Sequence, residues 1–323
     1  TIASNSPGFM RLLWQFMDLR SLPKAELHLH LEGAAEAETL CGITPGLGLE
    51  EARARMRFSD FAEFLQAFKW VHFCLRKPEH FALVLKRLLE LLEEQGVRYA
   101  EINVSAGVML WRGLPVDEFF PAIAEEAERG RVPVRFIFDA IRQFGPGHVE
   151  AVAEAAVRWA GRGVAGFGIG GDEARGPARL YRKVFEQVRA AGLAAVPHGG
   201  ETTGPESVWE ALECGARRIG HGIRAVEDPA LLEELKRRDV ALEICITSNV
   251  RTGAVSSLRE HPVRRLFDAG VPLVLNTDDP ALFETTLVRE YELARDVFGF
   301  TDEELQQVAR NSFRYALAAP PPV

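Results

Sequence analysis

The chain is short of everything that would direct it to a membrane, a nucleic acid or an oxidising compartment. It has four cysteines in 323 residues, Cys41, Cys74, Cys214 and Cys245, scattered and without a C-x-x-C pair. No disulfide framework is expected from them; Cys245, inside an apolar run, reads as a buried thiol, and the chain suits a reducing cytosol, so a cytoplasmic location is expected. No apolar run is long enough to span a bilayer. The first residues mix Arg11, Asp18 and Arg20 into short apolar stretches with no cleavage-type pattern, so neither a membrane span nor a secretory leader is expected. A positive surplus is missing as well: 38 Lys and Arg against 46 Asp and Glu leave a net charge of −8. That field does not gather a polyanion, which argues against nucleic acid and membrane surfaces as partners and favours a small neutral or cationic ligand. Internal repeats and low-complexity segments are also absent.

What is present is a globular composition, 47% hydrophobic and 26% charged, with ample chain for a large core. Short runs of strand character alternate with longer stretches of helical spacing, the mark of parallel α/β architecture. Eight such runs occur, at residues 25–30, 99–104, 135–141, 164–170, 194–199, 218–222, 241–247 and 272–278. Eight is the closing number of a (β/α)₈ barrel, and several runs are apolar at nearly every position, as strands covered on both faces must be. Helices are expected over residues 177–191, 228–238 and 301–317, with starts at Asp228-Pro229 and Thr301-Asp-Glu-Glu. The connection between the first two strands is the longest; its aromatic-rich segment at 58–73 suggests a helical lid inserted at about 34–95. The expected layout is one barrel over residues 10–319 with tails at 1–9 and 320–323.

The strongest local feature is Leu27-His28-Leu29-His30, because alternate residues of a strand face one side and two imidazoles there can share an ion. Partners stand at other strand ends: His198 in His198-Gly-Gly-Glu201, His221 in Gly220-His221-Gly222, and Asp278-Asp279. Active sites of barrels are built at the carboxyl ends of the strands, so these metal-capable groups converge on one face. Two adjacent carboxylates oppose each other unless a cation takes one; the other is then free to face a ligand. His72, His80, His148 and His261 share no strand-end position and are read as surface or packing residues. His148-Val-Glu150 lacks the P-C-x-x-C half of a cytidine-type zinc site. Gly166-Phe-Gly168-Ile-Gly-Gly171 fits G-x-G-x-x-G but opens no helix and runs into Asp172-Glu173, which would repel a pyrophosphate. Its glycines more simply let a ligand ring touch backbone.

From about residue 22 to 317 the chain resembles the adenosine deaminase family. The resemblance rests on Pro23-Lys-Ala-Glu-Leu-His-Leu-His-Leu-Glu-Gly33, Gly171-Asp-Glu173, His198-Gly-Gly-Glu201, Gly220-His-Gly222 and Asn276-Thr-Asp-Asp-Pro280, in family order. It implies one zinc ion per chain held by His28, His30, His198 and Asp278, with Asp278, Glu201 and His221 as the catalytic set. Glu201 would protonate N1 of a 6-aminopurine while His221 orients the attacking water. The Gly171 N–H would hold N3 and the Asp279 carboxyl N7. Two departures alter the ribose end: Glu32 stands where the family usually has the Asp that holds the 5′-hydroxyl, and Gly168 replaces an Asp. Residues 95–111 and 285–291 look like the branch that deaminates 6-amino-6-deoxyfutalosine in menaquinone synthesis, whose benzoate calls for a cation; Lys69, Arg76, Arg112 and Arg142 are candidates. Thr285-Thr286 stands where free adenine deaminases tend to carry Gly-Gly-Tyr. The partner expected is a small aminopurine nucleoside; homo-oligomerisation stays open. The alternatives are an adenosine deaminase of purine salvage and an inactive metal-binding barrel serving as a binding protein. A two-metal amidohydrolase is disfavoured because the fourth strand run has no lysine to bridge the metals.

Overall fold

The computed structural model describes residues 17–318. The tails expected at 1–9 and 320–323 lie outside those residues. Nine short strands run parallel: β1 (Lys24–His30), β2 (Val97–Val104), β3 (Val134–Ile141), β4 (Val164–Gly170), β5 (Ala194–Ala195), β6 (His198–Gly199), β7 (Arg218–His221), β8 (Ala241–Ile244) and β9 (Leu273–Leu275). They occupy eight positions. β5 and β6 are two halves of one position, parted at Val196-Pro197, where proline brings no N–H to the ladder. Backbone bonds carry the position across the break: Val196 N–H donates to Phe167 O (2.9 Å), and Gly220 N–H to Pro197 O (3.0 Å). The cylinder closes where His30 N–H donates to Asp278 O (2.7 Å) and Asp278 N–H to His28 O (3.1 Å). The fold is the parallel (β/α)₈ barrel expected from the eight runs.

The expected strand at 241–247 stops at Ile244, and Ile246–Arg251 is a helix instead. The cause is tertiary. Both the N–H and the hydroxyl of Thr247 donate to the buried Glu290 carboxylate, which turns a β-prone segment out of the sheet. The expected helix starts hold: Asp228 accepts from Ala230 N–H and Leu231 N–H, and Thr301 forms a reciprocal capping box with Glu304.

The long first connection holds four helices, Ala37–Ile43, Leu49–Arg55, Phe61–Cys74 and Pro78–Glu94. The last is an outer barrel helix. It opens on Pro78 and buries Phe81, Val84, Leu85, Leu88, Leu89 and Leu92 at helical spacing against β2 and the helix Val116–Arg129. The part of the connection that reaches the barrel mouth is Phe61–Cys74, started by the Asp60 cap on Glu63 N–H.

Two apolar clusters hold the barrel. The large one joins strands to the surrounding helices; the small one gathers Ala25, Leu27, Tyr99, Ala241, Val274 and Tyr315 towards the amino ends of the strands. Beside the small cluster, fully buried Arg218 bridges Glu101 and Glu243 at 2.5 Å each and donates to Tyr315 O at 2.7 Å. A guanidinium there is tolerable because two carboxylates and a carbonyl replace its water. Among the described residues no helix is long and apolar enough to cross a membrane.

Candidate metal centre and pocket

At the carboxyl ends of the strands, β1 delivers His28 and His30, β6 delivers His198, and the turn after β9 delivers Asp278. A register irregularity between Glu26 and Leu29 sets the β1 pair; the Asn276 side-chain oxygen accepts from both Leu27 N–H (2.8 Å) and His28 N–H (3.1 Å) and steadies it. The four groups are buried, and one ligand atom of each lies within 4.8 Å of all the others. His28 Nε2 and His30 Nε2 each lie 3.3 Å from Asp278 Oδ1, and His30 Nε2 lies 3.3 Å from His198 Nε2. Ligand atoms about 2.0–2.1 Å from a tetrahedral ion would stand about 3.3 Å apart, so the spacing fits such an ion. His28 Nε2, buried with no hydrogen-bond partner, is the orphan such an ion would satisfy.

The ligands are themselves held. His28 Nδ1 donates to Glu243 Oε2 (2.6 Å), which leaves Nε2 as the lone-pair nitrogen facing the cluster, and Ser248 Oγ donates to Asp278 Oδ2 (2.6 Å). Arg218 keeps the Glu243 carboxyl below its usual range despite burial. His221, Cys245 and Asp278 form a second close set that shares Asp278. Burial and surrounding carboxylates push the Cys245 thiol well above its ordinary value, so it stays a neutral thiol. Backbone strain concentrates here: of four non-glycine residues with positive φ among those described, two are His221 (62°) and Asp278 (67°).

The cluster forms the floor of a cavity of about 410 Å³, within the range of small-molecule sites. Glu201, His221, Asp279 and Gly171 line it with His30, His198 and Asp278. Burial, followed by the charges of Asp278 and Glu173, holds Glu201 well above the usual carboxyl range, which favours its protonated form. Glu173 in turn accepts from Gly200 N–H (3.0 Å) and Glu201 N–H (2.9 Å) and fixes the turn that bears Glu201. His221 stands 3.7 Å from Glu201 Oε2; burial lowers it to about 4. Asp279 is pushed well up by burial and by Asp278, and its Oδ1 has no partner. Gly171 has φ 92°, open to glycine at little cost, and a Cβ there would run into Gln143 Oε1 at 2.3 Å.

Two expected ligand-contacting residues are not brought to the cavity. Arg142 is fully buried, donating to the carbonyls of His198 (2.6 Å), Ile169 (3.2 Å) and Gly176 (3.4 Å), so it ties β3 to β4 and β6. Glu32 lies behind the cavity wall, where it accepts from Ser105 N–H (3.1 Å) and faces His72; burial raises it to about 7. Arg112 is spent on the carbonyls of His72 and Leu75, and Arg76 donates to the Phe73 carbonyl. Of the four candidate cations Lys69 alone lines the cavity, 5.1 Å from the Trp111 ring centre, and Arg175 joins it. Thr285 and Thr286 serve the fold, bonding Glu290 and capping the helix Leu287–Asp296.

Sequence reasoning missed Glu243, Ser248, Asn249 and Asp139. The signal available for two of them was an acid alone in an apolar strand, which is where burial demands a partner. Asp139 lines the cavity with an unpartnered Oδ1, and fits only because Gly168 and Gly170 leave room; a Cβ at either would stand within 2.9 Å of its carboxylate oxygens. Gly168 and Gly170 of β4 thus make room for Asp139, and no helix opens directly after the strand.

A parallel barrel with this cluster at its mouth is the framework of a metal-dependent hydrolase. The family model for adenosine deaminase matches residues 23–321, and the chain belongs to that family. It is 38% identical over 316 residues to a putative adenosine/adenine deaminase of Streptomyces virginiae, covering 93% of each chain. It is 37% identical over 312 residues to an aminodeoxyfutalosine deaminase of Streptomyces coelicolor, covering 91% of this chain and 79% of that one. Among solved structures, an amidohydrolase from Burkholderia ambifaria with bound Zn superposes with a TM-score of 0.85 at 26% identity, covering 93% of this chain and 87% of that one. The chain is thus a deaminase-type hydrolase whose His-His-His-Asp group can bind a metal.

Proposed function

We propose that the protein is a zinc-dependent hydrolytic deaminase that converts the 6-amino group of an adenine nucleoside to the 6-oxo form with release of ammonia. The observation that carries this reading is the meeting of four ligand atoms, the Glu201 carboxyl and the His221 imidazole on one cavity floor. Zinc is the metal whose geometry and ligand preference the donor set fits; when bound, it supplies the Lewis acidity that makes water acidic near neutral pH.

The chain's own groups do the rest. Glu201 holds its proton at a carboxyl facing the cavity and gives it to N1 of the ring, which draws electrons from C6. His221 donates a hydrogen bond to the water oxygen that bonds to C6; of that water's two protons one passes to the amino nitrogen, which leaves as ammonia when the C6–N bond breaks, and the other returns to Glu201 as the 6-oxo group forms. Gly171 N–H and the Asp279 carboxyl hold the ring edges at N3 and N7, and fixed orientation itself supplies much of the rate. The family pattern supplies these substrate atoms, and the positions of the four groups around one cavity support them.

Within this class we favour a nucleoside with a bulky, anionic 5′ extension of the 6-amino-6-deoxyfutalosine type. The cavity supports this choice: beyond the metal cluster it passes Phe61, Phe64 and Phe68 to the stacked Trp111 and Phe144, with Lys69 and Arg175 as cations. An aromatic carboxylate finds stacking partners and counter-charges there. Adenosine and free adenine are the second reading, favoured by the 38% identity to a putative adenosine/adenine deaminase against 37% to an aminodeoxyfutalosine deaminase. The four unpaired cysteines support a cytoplasmic setting, and the residues of helix Phe61–Cys74 that line the cavity support a lid role for it. The deciding experiment compares kcat/KM for aminodeoxyfutalosine, adenosine, 5′-methylthioadenosine and adenine by ammonia release. Preference for the first supports the favoured branch, and preference for adenine overturns it.

A further inference from the structure

His221 faces the cavity with one ring nitrogen and the protein with the other, and which nitrogen carries the proton decides whether it gives or takes a hydrogen bond. Three hydrogen bonds answer that, and they start from a backbone group that has no alternative. The N–H of Val263, at the start of the helix Val263–Asp268, donates to Nδ1 of His261 (3.2 Å). A nitrogen that accepts cannot hold a proton, so the proton of His261 is on Nε2, which donates to Oδ1 of Asn249 (3.1 Å). The Asn249 amide is thereby oriented: its oxygen is engaged by His261, and its Nδ2 donates to Nδ1 of His221 (3.1 Å). Nδ1 of His221 is an acceptor for the same reason, and the ring proton is left on Nε2, the nitrogen that looks towards Glu201 and Asp278. All three side chains are buried, so water does not compete for these bonds.

We propose that Asn249 and His261 are positioning residues that fix His221 as the neutral Nε2–H tautomer, so that it meets the reacting oxygen as a hydrogen-bond donor and not as a base. This rests on the deaminase reading for the identity of that oxygen, but the tautomer itself follows from the backbone anchor. An imidazolium at His221 would set an N–H against the amide hydrogens of Asn249. To accept a proton, His221 would need Asn249 to flip, and a flipped amide would set its own hydrogens against the Nε2–H of His261. The three groups change together or not at all.

The test uses the full chain with its histidines ¹⁵N-labelled and reads each ring's tautomer by long-range ¹H–¹⁵N correlation, with His221→Gln to assign the signal. His221 is expected as a neutral ring protonated at Nε2. Asn249→Asp, which offers only acceptors to Nδ1, is expected to move the proton to Nδ1 and to cut kcat by roughly 10²-fold or more with KM little changed, the loss typical of a removed oxyanion donor. His261→Leu frees the Asn249 amide and is expected to act in the same direction. His261→Gln, whose amide can still donate to Asn249 Oδ1, is expected to restore the Nε2–H form and to retain more of kcat than the leucine variant. A wild-type His221 protonated at Nδ1, or an Asn249→Asp protein that keeps both the Nε2–H ring and full kcat, would overturn the proposal. The spectra need no substrate, so failure of the deaminase reading on every nucleoside remains distinguishable from failure of the tautomer.

Discussion

Glu201 and Glu243 are both buried carboxyls, yet their surroundings set them to opposite tasks. Glu201 has carboxylates for neighbours and keeps its proton; Glu243 has Arg218 and His28 and gives its proton up. Glu201→Gln is therefore expected to lower kcat by about 10²–10⁴-fold while retaining the metal, as removal of a general acid does. In the wild type, kcat/KM should fall as pH rises through the Glu201 value, because the acid form is then lost. Glu243→Gln is expected to leave the acid in place and weaken metal binding by about 10–100-fold, measured by chelator competition. These residues differ in legibility. His28, His30, His198, Glu201, His221 and Asp278 could be read from the sequence because strand ends of a barrel share a face; Glu243 showed only as a lone acid in an apolar strand, and Ser248 and Asn249 act through contacts between distant segments, which no local spacing encodes.

At the scale of elements, all eight strand positions were legible, several because strands covered on both faces are apolar throughout, although the fifth is interrupted at Pro197 and β8 lost its expected end to Glu290. Arg142, expected as a cation for a substrate carboxylate, is instead captured by the carbonyls of Ile169 in β4, His198 in β6 and Gly176 in the connection after β4. The glycine before His221 has a role that sequence left silent. A Cβ on Gly220 of β7 would stand 2.8 Å from His28 Cε1 and 3.2 Å from His198 Cγ, wedging two ligands apart. Gly220→Ala is expected to cost about 1–3 kcal/mol of stability and to release metal at lower chelator concentration than wild type, measured by denaturant titration and metal retention. Unchanged metal retention would mean that the rings adjust independently of β7.

Over the whole molecule, the long first connection divides its work. Pro78–Glu94 completes the outer wall and Phe61–Cys74 roofs the cavity, and His72 on the latter is buried, pinned beside Arg112 and lowered to about 3 by burial and that charge. A histidine lowered in the folded state takes up its proton only on unfolding. Its contribution to stability is full above about pH 6.5 and is lost as pH falls from there towards 3, at up to about 1.4 kcal/mol per unit. His72→Gln should therefore narrow its gap in melting temperature to the wild type as pH drops from 7 to 5; a gap independent of pH would show that His72 does not remain neutral.

The central claim is one ion, gripped by three imidazoles and a carboxylate at the barrel mouth. A crystal of the purified protein, measured on both sides of the zinc absorption edge, tests it directly. The account predicts one strong anomalous peak per chain, about 2.0–2.2 Å from nitrogens of His28, His30 and His198 and an oxygen of Asp278. Two metal peaks bridged in one site, or a peak that leaves any of these four residues beyond bonding distance, would contradict it.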